Sequence, residues 1–300
     1  MKLRVVTTPL PVAVVIPSHG RAPFLAEAVR SVAGEADEVI VIEDGTEEVG
    51  DADLEGARLI RLPRVRRSRA RNEGAEASSA PLVAFLDSDD VSLPGRIARQ
   101  REALERAPNA ALCFGAVRVV DEGLRPLDDW NKILSHRFAR LVEGGADFEG
   151  LLASRTPIYT SATMVRRDAF LAAGGYDPRF DAYEDLDLYL RLSRRGRLVP
   201  CPGEPVALYR VHGQNTESHR LYLGALGVAE KHLPDATGLG RRLLLERRVD
   251  ALWGLGRFPE ARRAALAALA DEPLVLGHPR FAKRLVGSLA PRRLLEARRR

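Results

Sequence analysis

The chain has 300 residues, of which 45% are hydrophobic, so it can bury a large core in one domain with an appendage or in two domains. Its formal charge of +5 suits a polyanionic ligand. No stretch reaches the roughly 18 uninterrupted apolar residues of a membrane span. The two cysteines, Cys113 and Cys201, lack a metal-ligand spacing, and no signal peptide precedes the first apolar run, so we expect core thiols and a reducing cytoplasm.

Apolar runs alternate with amphipathic segments along the first hundred residues. The pattern predicts strands and helices in the order strand 12–16, helix 23–33, strand 38–42, strand 57–62, a helix that begins in 66–74, strand 83–86 and helix 94–107. Strands that are almost wholly apolar and alternate with helices favour an α/β fold with a doubly wound, mostly parallel sheet. Ligands of such sheets bind beyond the carboxyl ends of the strands.

The fourth predicted strand ends in an acidic run, Asp87-Ser88-Asp89-Asp90. Like charges so close together repel one another, and a divalent cation that carries phosphates would relieve that repulsion. A solvated turn is the alternative, because Asp and Ser favour turns and helix caps. Polar residues also follow the first two strands, so one cleft could collect His19, Glu43, Asp44, Asp87 and Asp89.

The phosphate-binding residues do not follow a glycine-rich pattern. Neither Gly-x-Gly-x-x-Gly nor Gly-x-x-x-x-Gly-Lys follows the first strand. The arginines of 66–71 offer guanidinium groups for bidentate phosphate contacts, although such charge runs are usually solvated helix faces.

The second half of the chain carries four further features. We expect a strand in 110–120, then an irregular segment, 121–160, which contains Trp130 and is typical of a functional loop or lid. Glu184 and Asp185 begin a helix, where acids commonly serve only the helix dipole. His212 follows a short strand, and it is either a surface histidine or a residue that closes a metal site.

Residues 218–300 differ from the rest of the chain in their sequence pattern. Amphipathic segments separated by Gly and Pro predict a small helical appendage, so we place the domain boundary between 1–217 and 218–300. The basic tail, 291–300, is either frayed and solvated or a peripheral contact with anionic lipid.

Six short motifs occur in order over about residues 10–215. They are Val15-Ile16-Pro17-Ser18, Glu43-Asp44-Gly45, Ala70-Arg71-Asn72-Glu73-Gly74, Phe85 to Asp90 with Pro94 and Arg96, Gly174-Gly175-Tyr176-Asp177 leading into Glu184-Asp185, and Tyr209-Arg210-Val211-His212. Each motif is weak alone, but in this order they resemble the inverting nucleotide-sugar glycosyltransferases of family 2, which have the glycosyltransferase-A, Rossmann-like fold. Glu43 departs from the family, which usually carries Asp at that position.

The resemblance implies a role for each matching residue. Asp185 is the expected catalytic base, Asp89 and His212 the ligands of Mn²⁺ or Mg²⁺, and Glu184 and Trp130 the acceptor-side residues. The expected donor-binding residues are Pro17, His19, Arg21, Glu43, Asp44, Arg71, Asp87 and Ser88. In this reading Arg210 also lies near the donor diphosphate.

The reaction that the resemblance implies is metal-dependent sugar transfer with inversion, in cell-surface polysaccharide or glycoconjugate synthesis. The donor would be a nucleoside-diphosphate sugar, with a UDP-sugar favoured. The acceptor would be a glycan, a lipid-linked molecule or a small molecule.

Three other protein classes compete with this interpretation. A non-catalytic relative that binds nucleotide or glycan is disfavoured by the acids at 87, 89 and 185. A nucleic-acid-binding protein would need stacking aromatics along a basic stripe, but only 6% of the residues are aromatic. A nucleotidyltransferase would carry a glycine-rich loop after the first strand, and Pro17-Ser18-His19-Gly20 is not one.

Overall fold

The computed structural model describes residues 8–19, 23–45, 49–50, 54–213 and 218–272. The chain divides into two compact units. The first comprises Met1–Arg179 and Asp187–Asn215, and the second comprises Phe180–Leu186 and Thr216–Arg300.

The described strands are β1 Val12–Ser18, β2 Glu38–Glu43, β3 Arg58–Arg61, β4 Leu82–Phe85, β5 Val91–Ser92, β6 Ala110–Phe114, β7 Val117–Val120, β8 Thr163–Arg166, β9 Arg197–Pro200 and β10 Ala207–Arg210. The described helices are α1 Leu25–Arg30, α2 Arg66–Ala77, α3 Arg96–Arg106, α4 Asp128–Gly144, α5 Phe148–Ala153, α6 Arg167–Ala172, α7 Glu184–Ser193, α8 Ser218–His232, α9 Gly238–Gly254 and α10 Phe258–Asp271.

The first unit is built on a seven-stranded sheet in the order β3-β2-β1-β4-β8-β6-β9. Its strands pair in parallel except at β8, which runs antiparallel to both β4 and β6. A smaller sheet has the order β5-β10-β7. This architecture confirms the predicted α/β class with a mostly parallel sheet.

The core explains why β1 and β4 are continuous apolar runs. Val12–Ile16 and Leu82–Phe85 are each 0% exposed, because both strands have a neighbour on either side and packing on their faces. Full burial of one such aliphatic side chain contributes about 1.5–3 kcal/mol to stability. Cys113 and Cys201 are buried free thiols, as predicted.

Two predictions for the middle of the chain were wrong. Residues 110–120 form two strands, because the chain leaves β6 at Gly115 and enters the smaller sheet as β7. Gly115 allows this close approach, since a Cβ there would lie 2.4 Å from Val206 Cγ2. The segment 121–160 is not irregular either, because it contains α4 and α5.

The second unit is helical. Its apolar core joins α8, α9 and α10 through small and aliphatic residues, among them Leu252 and Ala265, and Tyr183 packs against that core. The last part of the predicted helical appendage, 273–300, which includes the basic tail 291–300, lies outside the described residues. Among the residues that the structure does describe, no helix has the length and apolarity to cross a bilayer.

Candidate active site

Polar side chains follow the carboxyl ends of β1, β2 and β4, which are neighbours in the large sheet. His19 follows β1 and Asp44 follows β2, and His19 Nδ1 lies 2.7 Å from Asp44 Oδ1. The His19 side chain is 63% exposed, whereas that of Asp44 is only 6% exposed. These two residues, both expected in one cleft, therefore meet at this sheet edge, with the imidazole exposed to solvent and the carboxylate buried.

Glu43 ends β2 and is almost completely buried. Its Oε2 accepts a hydrogen bond from Arg61 Nε at 3.0 Å, and Arg61 is its neighbour on β3. The carboxylate is therefore engaged by an arginine on the next strand. Pro17 lies in β1 beside Ile42. Arg21, which the sequence suggests as a donor ligand, lies outside the described residues.

The acidic run forms a turn between β4 and β5. One carboxylate oxygen from each of Asp87, Asp89 and Asp90 lies within 4.8 Å of the others. Ser88 lies in the same turn and is partly exposed. The structure thus brings together all three acids that the sequence singles out.

Asp87 is held by two partners from distant parts of the chain. Its Oδ1 accepts a hydrogen bond from Arg71 Nη2 at 2.5 Å, and its main-chain N–H donates to Ser161 Oγ at 3.0 Å. Arg71 is 2% exposed, and its guanidinium lies 5.1 Å from the ring centroid of Tyr176. Arg71 therefore supports Asp87 from inside the protein, whereas the other arginines of 66–71 are exposed.

Asp89 and Asp90 face different surroundings. His212 Nε2 lies 2.8 Å from Asp89 Oδ2, so the second predicted metal ligand is directly beside the first. Asp90 is 1% exposed. Ser161 Oγ donates to Asp90 Oδ2 at 2.5 Å, and the N–H of Arg210 donates to Asp90 Oδ1 at 2.8 Å. Asp90 is therefore bound into the protein.

Burial and mutual repulsion act on these carboxylates together. Burial raises the pKa of Asp89, and the charge of Asp87 raises it further, while His212 acts in the opposite direction. Burial raises the pKa of Asp90 well above its ordinary value, with added repulsion from Asp89 and Asp87. The site therefore concentrates negative charge in a partly desolvated turn, which is the electrostatic setting that a cation stabilises.

A buried arginine supports the same turn from behind. Arg96 is 0% exposed, and its Nη2 donates to the carbonyl of Phe85 at 2.8 Å and to that of Thr163 at 3.1 Å. Burial lowers the pKa of Arg96 to about 10, and the charge of Asp90 opposes that shift. The guanidinium thus remains charged at neutral pH and fixes the last residue of β4.

The Ala70–Gly74 motif has a structural explanation. Asn72 makes two hydrogen bonds to the main chain of Tyr176, which is distant in sequence. Its Nδ2 donates to the Tyr176 carbonyl at 2.8 Å, and its Oδ1 accepts from the Tyr176 N–H at 2.8 Å. Gly74 lets α2 approach the sheet, because a Cβ there would lie 2.4 Å from Val15 Cγ1. The motif therefore ties the acidic turn, the sheet and the Gly-Gly-Tyr-Asp segment to one helix.

Asp185 and Glu184 belong to the second unit. They begin α7, where Glu184 is buried and Asp185 Oδ1 accepts a hydrogen bond from the Leu186 N–H at 2.7 Å. Tyr183 immediately before them has a φ of 62°, in the left-handed region that a bulky residue seldom adopts. Backbone strain of this kind often accompanies functional segments.

The last predicted acceptor-side residue, Trp130, lies near the start of α4 and is 54% exposed. Its helix has only a narrow buried face, formed by Leu134 and Leu141. The indole is therefore on a surface helix rather than in the irregular loop predicted for this segment.

Sequence reasoning missed three residues that organise the site. They are Ser161, which joins Asp87 to Asp90, Glu27, which binds the Arg210 guanidinium, and Phe24, whose ring lies 4.1 Å from the Arg210 Cζ and 5.9 Å from the His212 ring. Glu27 and Phe24 lie at the start of α1, in a stretch that reads as an ordinary amphipathic helix. No local pattern marks Ser161, because its partners are more than 70 positions away.

A mostly parallel α/β sheet with an Asp-x-Asp turn at the carboxyl end of a central strand defines the class of glycosyltransferase-A proteins. Within that class, the model of the family "Glycosyl transferase family 2" matches residues 13–170. The chain belongs to this family, and the match confirms the resemblance seen in the sequence.

Two relatives illustrate the similarity. The amylovoran biosynthesis glycosyltransferase AmsE of Erwinia amylovora is 27% identical over 184 residues, which cover 59% of this chain and 64% of that protein. The succinoglycan biosynthesis protein ExoU of Rhizobium meliloti is 29% identical over 211 residues, which cover 63% of this chain and 58% of that protein. In both cases the match spans less than two thirds of the relative's length.

Solved structures share the fold. The mannosyltransferase PcManGT from Pyrobaculum calidifontis, in complex with GDP-Man and Mn²⁺, has a TM-score of 0.60 at 16% identity and covers 94% of this chain and 85% of its own. S. aureus TarS 1–349 in complex with UDP-GlcNAc has a TM-score of 0.63 at 12% identity and covers 97% and 92% respectively. These similarities confirm the glycosyltransferase-A fold.

Proposed function

We propose that this chain transfers a sugar from a nucleoside-diphosphate sugar to an acceptor hydroxyl, with inversion at the anomeric carbon and with the help of Mn²⁺ or Mg²⁺. The observation that carries the proposal is the turn after β4, where Asp87 and Asp89 present clustered carboxylate oxygens beside His212. Family membership and the nucleotide-sugar complexes of the structural neighbours support it.

The residues of the turn fit a divalent cation. Carboxylate oxygens are the preferred ligands of Mg²⁺ and Mn²⁺, and an imidazole nitrogen is compatible with Mn²⁺. The side chains of Asp87 and Asp89 are 28% and 34% exposed, so both retain access to a ligand. Asp89 and His212 would hold the ion, which when bound would offset the negative charge of the departing diphosphate.

The protein residues have separate tasks in this proposal. His19, Glu43 and Asp44 contact the nucleoside, and Arg71 keeps Asp87 oriented towards the donor. Asp185 accepts the proton of the acceptor hydroxyl as its oxygen forms a bond to the anomeric carbon. The bond from that carbon to the diphosphate oxygen breaks on the opposite face, which gives inversion. Glu184 and Trp130 orient the acceptor.

Membership of the family supports the proposed donor and acceptor classes. One structural neighbour was solved with GDP-Man and another with UDP-GlcNAc, so both nucleotides need to be tried. The relatives named for amylovoran and succinoglycan synthesis support an acceptor in the assembly of a cell-surface polysaccharide. We also propose the cytoplasm as the compartment of the reaction.

Calorimetric titration of UDP and GDP with and without Mn²⁺ tests the metal-dependent step. We expect at least one nucleotide to bind more tightly with Mn²⁺, and Asp89→Ala to remove that gain while the melting temperature without ligand stays close to wild type. Asp128→Ala, a change of an exposed acid on α4, is the matched control. Equal nucleotide affinity of wild type and Asp89→Ala in Mn²⁺ would contradict the metal role.

A further inference from the structure

Arg210, the last residue of β10, is a buried cation whose guanidinium donates hydrogen bonds to several protein groups. It is 2% exposed. Its Nε donates to the carbonyl of Asp89 at 2.7 Å, its Nη1 donates to the carbonyl of Glu122 at 2.5 Å, and its Nη2 binds the carboxylate of Glu27. The guanidinium also lies over the Phe24 ring. One side chain therefore joins α1, the acidic turn and the loop after β7.

The same residue holds the acidic turn a second time through its main chain. Its N–H donates to Asp90 Oδ1, while Ser161 Oγ donates to Asp90 Oδ2 and accepts the N–H of Asp87. Both the main chain and the side chain of Asp89 are held. Its carbonyl accepts a hydrogen bond from Arg210, and its carboxylate contacts the His212 imidazole. Both oxygens of Asp90 thus bind protein groups, and the turn cannot rotate without breaking several bonds.

The electrostatics of the turn require such a device. Three carboxylates within 4.8 Å repel one another, and a loose turn would separate them. A planar guanidinium binds several acceptors in fixed directions, which an ammonium group cannot reproduce. Groups that orient metal ligands without touching the metal commonly determine its affinity.

We propose that Arg210, together with Glu27 and Ser161, is a positioning residue that holds the Asp89 carboxylate, with Asp87 beside it, ready for the divalent cation, and that Asp90 is the anchor of the turn rather than a ligand. This inference rests on the proposed function, because the cation is the ligand for which the turn is held. It places Arg210 behind the acids rather than on the donor diphosphate.

The test titrates Mn²⁺ alone into the full chain and follows free Mn²⁺ by its electron paramagnetic resonance signal, with thermal melting in parallel. We expect Arg210→Lys to weaken Mn²⁺ binding about 10- to 100-fold, the usual effect of losing an outer-sphere partner of a metal ligand. Glu27→Gln and Ser161→Ala should act in the same direction by less. Arg166→Lys is the control, because Arg166 also binds two main-chain carbonyls, those of Ala110 and Leu104.

The outcomes separate positioning from plain stability. A folded Arg210→Lys variant with wild-type Mn²⁺ affinity overturns the inference, even if its melting temperature falls as in Arg166→Lys. If Arg210→Lys does not fold, unchanged Mn²⁺ affinity in both Glu27→Gln and Ser161→Ala overturns it. A wild type that binds nucleotide but no Mn²⁺ refutes the metal part of the proposed function and this inference together, whereas a Mn²⁺-binding wild type with unaffected variants refutes the inference alone.

Discussion

The three acids of one turn have three different environments, and this difference decides what each can do. Asp90 is enclosed, and its pKa is raised well above the ordinary value by burial. Asp87 is paired with a buried arginine, while Asp89 shares a contact with an imidazole. All three positions carry aspartate, so the neighbouring groups determine the difference between their roles.

Replacement of Asp185 by Asn tests the proposed base. The amide keeps the size and the hydrogen bond to the Leu186 N–H but cannot accept a proton, so we expect turnover to fall about 100- to 10,000-fold. A first-turn acid that only serves the helix dipole would cost about 0.3–1 kcal/mol of stability instead. Sugar transfer and calorimetric donor binding, measured side by side, distinguish the two.

Glu184→Gln is the paired variant for that experiment. We expect a smaller loss of turnover, because in our proposal Glu184 orients the acceptor and does not take its proton. An Asp185→Asn enzyme that retains more than about a tenth of the wild-type rate would refute the assignment of the base, given the usual size of the effect. Loss of donor binding in either variant would point to misfolding of the segment.

At the scale of single residues, the sequence predicts which residues belong to the candidate site better than it predicts their contacts. Asp87, Asp89 and His212 follow strands, and strand ends are readable from apolar runs. Their partners are not readable, because Arg210 and Asp90 are 120 positions apart and meet only when the smaller sheet forms. The hydrogen bond from the buried Arg71 to Asp87 is likewise not readable from the sequence.

At the scale of elements, the order of strands in the first hundred residues follows the apolar pattern closely. The prediction failed at α4, although Trp130, Ile133, Leu134, Phe138 and Leu141 recur there at helical spacing. Only Leu134 and Leu141 of these are fully buried, and the glycines at its end, Gly144 and Gly145, favour a loop when the segment is interpreted alone. Residues 110–120 divide into two strands near Gly115, where the backbone lies close to Val206, a residue much later in the chain.

One glycine in α8 offers an element-scale test. A Cβ at Gly224 would lie 2.2 Å from the carbonyl oxygen of Ala182, so Gly224→Ala must shift α8, the segment that carries Ala182 and Asp185, or both. We expect sugar transfer to fall at least tenfold, since misplacement by about 1 Å can cost 100-fold, while nucleotide binding by the first unit persists. Kinetic assays and nucleotide calorimetry measure the two effects separately.

Gly144→Ala is the control for that substitution. Gly144 ends α4, and an added Cβ there would meet nothing within 4 Å. Equal transfer rates for Gly224→Ala and Gly144→Ala would mean that the Ala182 segment adjusts without consequence, and the proposed role of its position would fail.

At the scale of the whole molecule, each of the two compact units is built from two separate segments of the chain. Phe180–Leu186 belongs to the helical unit, although it lies within the span that the sequence assigns to the catalytic domain 1–217. The reason is local packing, since Gly224 and Gly227 of α8 lie against Ala182 and Phe180. A boundary drawn from composition cannot detect a short segment that crosses from one unit to the other.

Truncation tests what each unit contributes. A chain that ends at residue 217 keeps every described strand and the acidic turn but loses α8–α10, the packing partners of 180–186. We expect this chain to bind nucleotide with Mn²⁺ at near wild-type affinity and to lose sugar transfer, because Asp185 would no longer be held. A chain that ends at Glu272 is the control, since it retains all described elements and should keep both properties.

If the chain of 217 residues shows no cooperative melting, the helices belong to the folding core of the sheet and the boundary between 217 and 218 is wrong. If it folds and still transfers sugar, α8–α10 are not needed to hold Asp185, and their proposed role in positioning the base is wrong.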